Sequence, residues 1–258
     1  MTVLPHDTLA RPRPSLANIA TSVAMAGLVG AAWFWTVGQA QRMSMVAGVA
    51  QVGRAMPFDM SGAAFLGMWA TMMVAMMLPS VAPLVLACSS WRPPLAATSS
   101  RVVFVAGYLA IWTATGVLAL VALRALGGVG HASAWVDRAG GAVLVIAGAY
   151  QLTRSKQVSL RVYQEALHAP ATYAADGGPV AAARAGVHHG RCCLAGCGAL
   201  MAVLLVVGVM NVGWMAAITV ICFAEKNGRH GGAIARWVGF GLLGLGLAVL
   251  VHPPFLTV

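Results

Sequence analysis

Apolar residues in this chain come in long, nearly unbroken stretches, and the polar positions gather between them. A helix that crosses a bilayer needs about 20 mostly apolar residues. Six stretches answer to that pattern: residues 16–38, 62–88, 102–126, 140–153, 197–224 and 232–251. The fourth is short and reads as tilted, or as starting before Trp135. Backbone groups in hydrocarbon must be bonded within the protein, so these stretches are helices; a barrel would show alternating strands of about ten residues. The pattern predicts an all-α fold, a polytopic transmembrane helix bundle of about six spans. Residues 16–258 form one domain behind a polar, proline-broken tail over residues 1–15. The first apolar run has no small-residue cleavage site behind a short core, so it reads as a retained span.

Between the spans, residues 154–191 make the one long polar segment. It reads either as a loop carrying a short amphipathic helix (SKQVSLRVYQEAL) or as a linker. The chain shows no internal repeat, so an inverted-repeat transporter gains no support.

Composition fixes the solvent. Hydrophobic residues make up 60% of the chain and charged ones 9%, against about 25% charged in soluble domains. The lipid bilayer is therefore the first partner. The net charge of +10, from 16 Lys and Arg against six acids, is spread over the connectors. That spread argues against nucleic-acid binding, which needs basic residues clustered on one face. With the N-terminus inside, nine basic residues fall on the inner side and seven, among them Lys226, Arg229 and Arg236, on the outer. The bias is narrow and puts both termini in the cytoplasm.

Candidate chemistry starts with MWATMMVAMMLPS, residues 68–80, which sets five methionines in ten residues. At helical spacing Met68, Met72 and Met76 share a face, with Met73 and Met77 on the adjacent strip. Thioethers bind soft ions such as Cu(I), but methionine also serves as flexible packing. Pro79 and Pro83 each remove a backbone donor and invite a kink, which inside a membrane borders a site or a packing groove. Met43, Met45, Met56 and Met60 lie in the preceding connector with Asp59. A second cluster is HHGRCCLAGCGALM, in which His189, Cys193, Cys197 and Met201 fall at i, i+4, i+8 and i+12. If one helix runs through Gly190 and Gly196, these four form a ladder whose imidazole, thiolates and thioether suit Cu(I) or zinc. Buried cysteine is also an ordinary small hydrophobe. Asn211, in the middle of the fifth stretch, reads as interhelical hydrogen bonding or as a ligand. Glu225 and Lys226 end that stretch; Lys226 suits interfacial snorkelling, and Glu225 could cap a site on the outer side near His230 and His131. Acid–base catalysis is poorly supplied, since none of the six carboxylates lies within a span. No nucleophile elbow or phosphate-cradling glycine loop is present.

The sequences MWATMMVAMMLPSVAP, FVAGYLAIW, GAYQLT, C-x3-C-x3-M and GVMNVGWMAA…EK resemble those of a bacterial family of metal-binding integral membrane proteins. The resemblance runs from about Trp33 to Lys226. It implies a multi-span helical protein of the bacterial inner membrane with Met and Cys as ligands, and brings no reaction with it. Two family cysteines after the YQLT motif fall here on Ser159 and Tyr163, and the family's GCCW motif is depleted by one Cys and the Trp. The Met-rich helix, Asp59, Asn211 and Glu225–Lys226 are retained, which shifts the expected site towards the membrane and outer-side groups.

These features lead to a membrane protein that binds a soft metal ion, copper, for delivery, assembly or redox use. Its expected ligands are drawn from Met68, Met72, Met73, Met76, Met77, Asp59, Met60, His189, Cys193, Cys197, Met201, Asn211 and Glu225. The alternatives are a membrane subunit of a larger redox or oxygenase complex, with other membrane subunits as partners, and a purely structural subunit.

Overall fold

A computed structural model describes residues 16–47, 61–87, 94–127, 134–168 and 178–251. These residues form eight helices: α1 (Leu16–Ala47), α2 (Gly62–Ala87), α3 (Pro94–Gly127), α4 (Ala134–Gln151), α5 (Arg154–His168), α6 (Pro179–Val207), α7 (Val212–Asn227) and α8 (Gly231–Val251). There is no strand among the described residues. Helices α1, α2, α3, α6 and α8 are long and apolar enough to cross a membrane.

Helix α2 is the centre of the bundle, packed against α1, α3, α5 and α7. Its prolines are absorbed by neighbours. Pro79 has no N–H for the carbonyl one turn earlier, Ala75, and the Trp33 indole of α1 donates to that oxygen at 3.0 Å. Tyr163 of α5 donates to the Ser80 carbonyl at 2.7 Å. Side chains from other helices thus take up carbonyls around the proline turns, as a buried membrane helix requires.

Helices α3 and α6 run side by side in the same direction, because small residues let their backbones touch. A Cβ on Gly107 would lie 2.7 Å from the Ala183 oxygen, and one on Gly190 3.1 Å from Ile111. Trp69 donates to the Trp112 carbonyl at 3.0 Å and Tyr108 to that of Met77 at 3.4 Å, so α2 runs antiparallel to α3.

The fifth expected span, residues 197–224, is two helices. Gly208 has φ 101°, a left-handed conformation that glycine adopts without steric cost. The chain reverses there, and the Asn211 N–H bonds the Gly208 oxygen at 3.0 Å. Hydropathy hides this turn because Val209 and Met210 within it are themselves apolar and buried. The reversal corrects the placement of Lys226. The sequence puts it across the membrane from residues 154–191, yet its Nζ lies 2.8 Å from Cys193 Sγ. Helix α6 also starts well before residue 197, at Pro179, where proline in the first turn loses no hydrogen bond.

The segment SKQVSLRVYQEAL lies in α5, and its face of Lys156, Leu160, Tyr163 and Ala166 is buried. That i, i+4, i+7 periodicity docks the helix into the bundle, while Arg154, Val158, Arg161 and Glu165 stay exposed.

Candidate metal centre

The ladder on α6 exists as one continuous helix. His189, Cys193, Cys197 and Met201 are all buried. The reversal at Gly208 then lays α7 antiparallel against it and brings in Cys222, Glu225 and Lys226. Cys197 follows Cys193 by one turn of α6, and Cys222 of α7 lies near it. Cys193, Cys197 and Cys222 are free cysteines and fully buried. Among the described residues, no three of His, Cys, Asp and Glu converge closely enough to hold a metal by themselves.

A polar shell closes the lower end of this cluster. Lys226 Nζ donates to Cys193 Sγ at 2.8 Å and to Ser80 Oγ at 3.2 Å. It lies 5.0 Å from the centre of the Tyr163 ring, a cation–π distance. The Tyr108 hydroxyl is 3.0 Å from the same sulfur. Beside it, Lys156 Nζ pairs with Glu225 Oε2 at 2.6 Å and donates to the Gly196 carbonyl. Gln151 Nε2 holds the other carboxylate oxygen at 2.8 Å. Glu225 is therefore taken up by a lysine and an amide.

His189 stands among rings. Its imidazole centre is 4.3 Å from that of Tyr163, 6.0 Å from Phe104 and 6.1 Å from Tyr108. Burial pushes the Tyr163 phenol above its ordinary range, so it stays a donor to Ser80. Tyr163 and Ser159 stand where the resemblance places two cysteines, and both positions face α6: the Tyr163 ring packs tilted against His189, and Ser159 Cβ lies 3.9 Å from where a Cβ on Gly196 would be. In this chain a phenol and a hydroxyl fill the space beside the thiol helix.

The methionines occupy the same interior. Met72, Met73, Met76 and Met77 have no exposed surface, Met68 retains little, and all five share one core with Met201, Met210 and Met215. Helix α2 is antiparallel to α3, α3 parallel to α6, and α6 antiparallel to α7, so α2 and α7 run the same way. Ser80 meets both Lys226 and Asn227, which ties the C-terminal half of α2 to the C-terminal end of α7. Asn211 serves α7 as its N-cap, accepting from the Trp214 N–H at 3.1 Å, the ordinary use of this residue at that position. Asp59, Met60 and His131 lie outside the described residues, and His230 is exposed in the turn between α7 and α8.

Sequence reasoning missed Cys222, Tyr108 and Ser80 altogether, and took Lys226 for an interfacial snorkel. One signal was present: Cys222 and Lys226 are four apart, on one face of a helix that is otherwise apolar.

The family described as PpoB2, copper chaperone, matches residues 66–249, a span that contains every residue of this cluster. No curated protein and no solved structure matches the chain.

Proposed function

This chain belongs to the PpoB2 family of copper chaperones, and we propose that it carries Cu(I) inside the bundle, between α2, α6 and α7. Cys197, with Cys193 or Cys222, supplies thiolates, and the buried methionines beside them supply thioethers. The donor chemistry supports this. Thiolate and thioether select Cu(I) over harder ions, and the buried carboxylate nearest the thiols is consumed by Lys156. The observation that carries the reading is that Cys193, Cys197 and Cys222 lie near one another, fully buried, in the same core as Met72, Met73, Met76, Met77 and Met215. Cu(I) needs few ligands, so a thiol pair completed by a thioether is enough. A chaperone that receives and passes on an ion benefits from such a low-coordinate site, because an incoming ligand can add before an old one leaves.

We place the protein in the bacterial inner membrane with the thiol end inside. Arg154, Arg161, Arg184, Arg191 and Arg229 are exposed around that end, as the inside-positive bias requires. A reducing compartment would also keep the thiols free. Helix α8 leaves that end and is long enough to cross, so on this reading Val251 lies at the opposite face.

The test is copper content by elemental analysis, after loading the purified protein with Cu(I) under reducing conditions in detergent. The wild type should retain copper through desalting, and Cys197→Ser combined with Cys222→Ser should lose it. A double variant that stays folded and retains wild-type copper would defeat the proposal.

A further inference from the structure

The proposed copper site contains a charge that the copper reading does not use. Lys226 is fully buried, donates to Cys193 Sγ at 2.8 Å and to Ser80 Oγ at 3.2 Å, and lies over the Tyr163 ring. The other buried lysine here, Lys156, is cancelled by Glu225 at 2.6 Å. Among the described residues, the groups around Lys226 on the surrounding helices include Ser80, Tyr108, Tyr163, His189, Cys193, Cys197 and Cys222, and none of these is a carboxylate. Its single positive charge is therefore left to be balanced by sulfur.

Resting on the copper reading above, we propose that Lys226 is a specificity-determining residue, which makes this site select a monovalent over a divalent soft ion. Charge decides the preference. Uncompensated charge in a buried site is costly. One Cu(I) together with the Lys226 ammonium carries two positive charges, which two thiolates neutralise, and the free, buried Cys193, Cys197 and Cys222 are the thiols from which such a pair is drawn. A divalent ion beside the same ammonium brings three positive charges and needs a third anionic ligand at the metal. Cys193, Cys197 and Cys222 do not converge as a three-ligand set. A site without Lys226 would reverse the preference: two thiolates neutralise a divalent ion completely and leave Cu(I) with a surplus negative charge. The lysine thus excludes Zn(II) and its analogues without touching them, and the contact it makes with Cys193 also holds that sulfur in place.

The experiment uses the full chain in detergent under reducing conditions. Cu(I) affinity is read by competition with bicinchoninate, and Cd(II) affinity by thiolate-to-metal charge-transfer absorption. Lys226→Gln keeps a hydrogen-bonding side chain of similar length and removes the charge, whereas Lys226→Arg keeps the charge. The expected result is a shift of the Cu(I)-to-Cd(II) affinity ratio towards Cd(II) in Lys226→Gln, of roughly a hundredfold or more for a unit charge at this range. Lys226→Arg should keep the wild-type ranking. If Lys226→Gln does not fold, Lys226→Met combined with Ser80→Ala removes the polar contact as a unit and is read in the same way. An unchanged ratio in a folded charge-free variant, with wild-type Cu(I) binding intact, overturns the selectivity role and leaves the copper reading standing. A wild type that binds no Cu(I) overturns both.

Discussion

Two antiparallel helix pairs in this bundle solve the same packing problem with opposite chemistry. Helices α4 and α8 meet through glycines. A Cβ on Gly148 would lie 2.7 Å from the Leu243 nitrogen and 2.8 Å from the Gly239 oxygen, and one on Gly246 2.9 Å from the Gly141 oxygen. Close backbone approach through small residues is the ordinary way for helices to associate where lipid removes the hydrophobic drive. Helices α6 and α7 instead place Cys193, Cys197, Cys222 and Lys226 at their contact, with Glu225 of α7 paired to Lys156 beside it, all buried. The chain thus possesses the apolar solution and does not use it where the thiols sit. Buried polar groups destabilise unless each is partnered, so a contact of this kind is retained for something other than cohesion.

The comparison breaks most visibly at Glu225. Replacing it by Ala strands the Lys156 ammonium in the core with the Gly196 carbonyl as its remaining contact. Removing one partner of a buried pair costs about 3–5 kcal/mol, so thermal unfolding in detergent should begin at a clearly lower temperature. A midpoint no lower than that of the exposed-face control Arg161→Ala would mean the pair contributes nothing.

A smaller loss is expected on the apolar side. Gly148→Val forces a side chain into the α4·α8 contact, and overpacking of this kind costs about 1–3 kcal/mol. The surviving folded protein should bind copper in the wild-type ratio, because none of the proposed ligands lies on α4 or α8. If copper per folded molecule falls in parallel with stability, the two pairs are not separable.

The smallest effect on stability belongs to the methionines. Met72→Leu with Met76→Leu keeps volume and hydrophobicity, at less than about 1.5 kcal/mol per site. Copper retention should nevertheless fall, because leucine offers no sulfur. Wild-type retention in this double variant would make these two residues packing only.

Much of this was readable in the chain. The apolar stretches gave the helices because a membrane leaves backbone groups no other partner. The i, i+4 spacing gave the buried ladder from His189 to Met201, and the methionine spacing gave a shared face on α2. The relation between α6 and α7 was hidden, since it rests on one positive-φ glycine inside an apolar run, and Gly208 looks like any other membrane glycine. Without that reversal Cys222 and Lys226 belong to the far side of the membrane, and the thiol cluster cannot be assembled on paper. The place of Asn211 was hidden for the same reason: at this turn it is a helix cap, whereas in a continuous span it would be an intramembrane polar group. Lys156 and Glu225 lie 69 residues apart in sequence, and no local pattern pairs them.

The central claim is that copper sits on sulfur between α2, α6 and α7. It is tested most directly by X-ray absorption at the copper edge of the Cu(I)-loaded protein, compared with Cys197→Ser. The account predicts Cu(I) with a first shell of sulfur alone in the wild type, and fewer sulfur neighbours per copper or no retained copper in the variant. A wild-type shell dominated by nitrogen or oxygen, or a sulfur shell unchanged by Cys197→Ser, would contradict it.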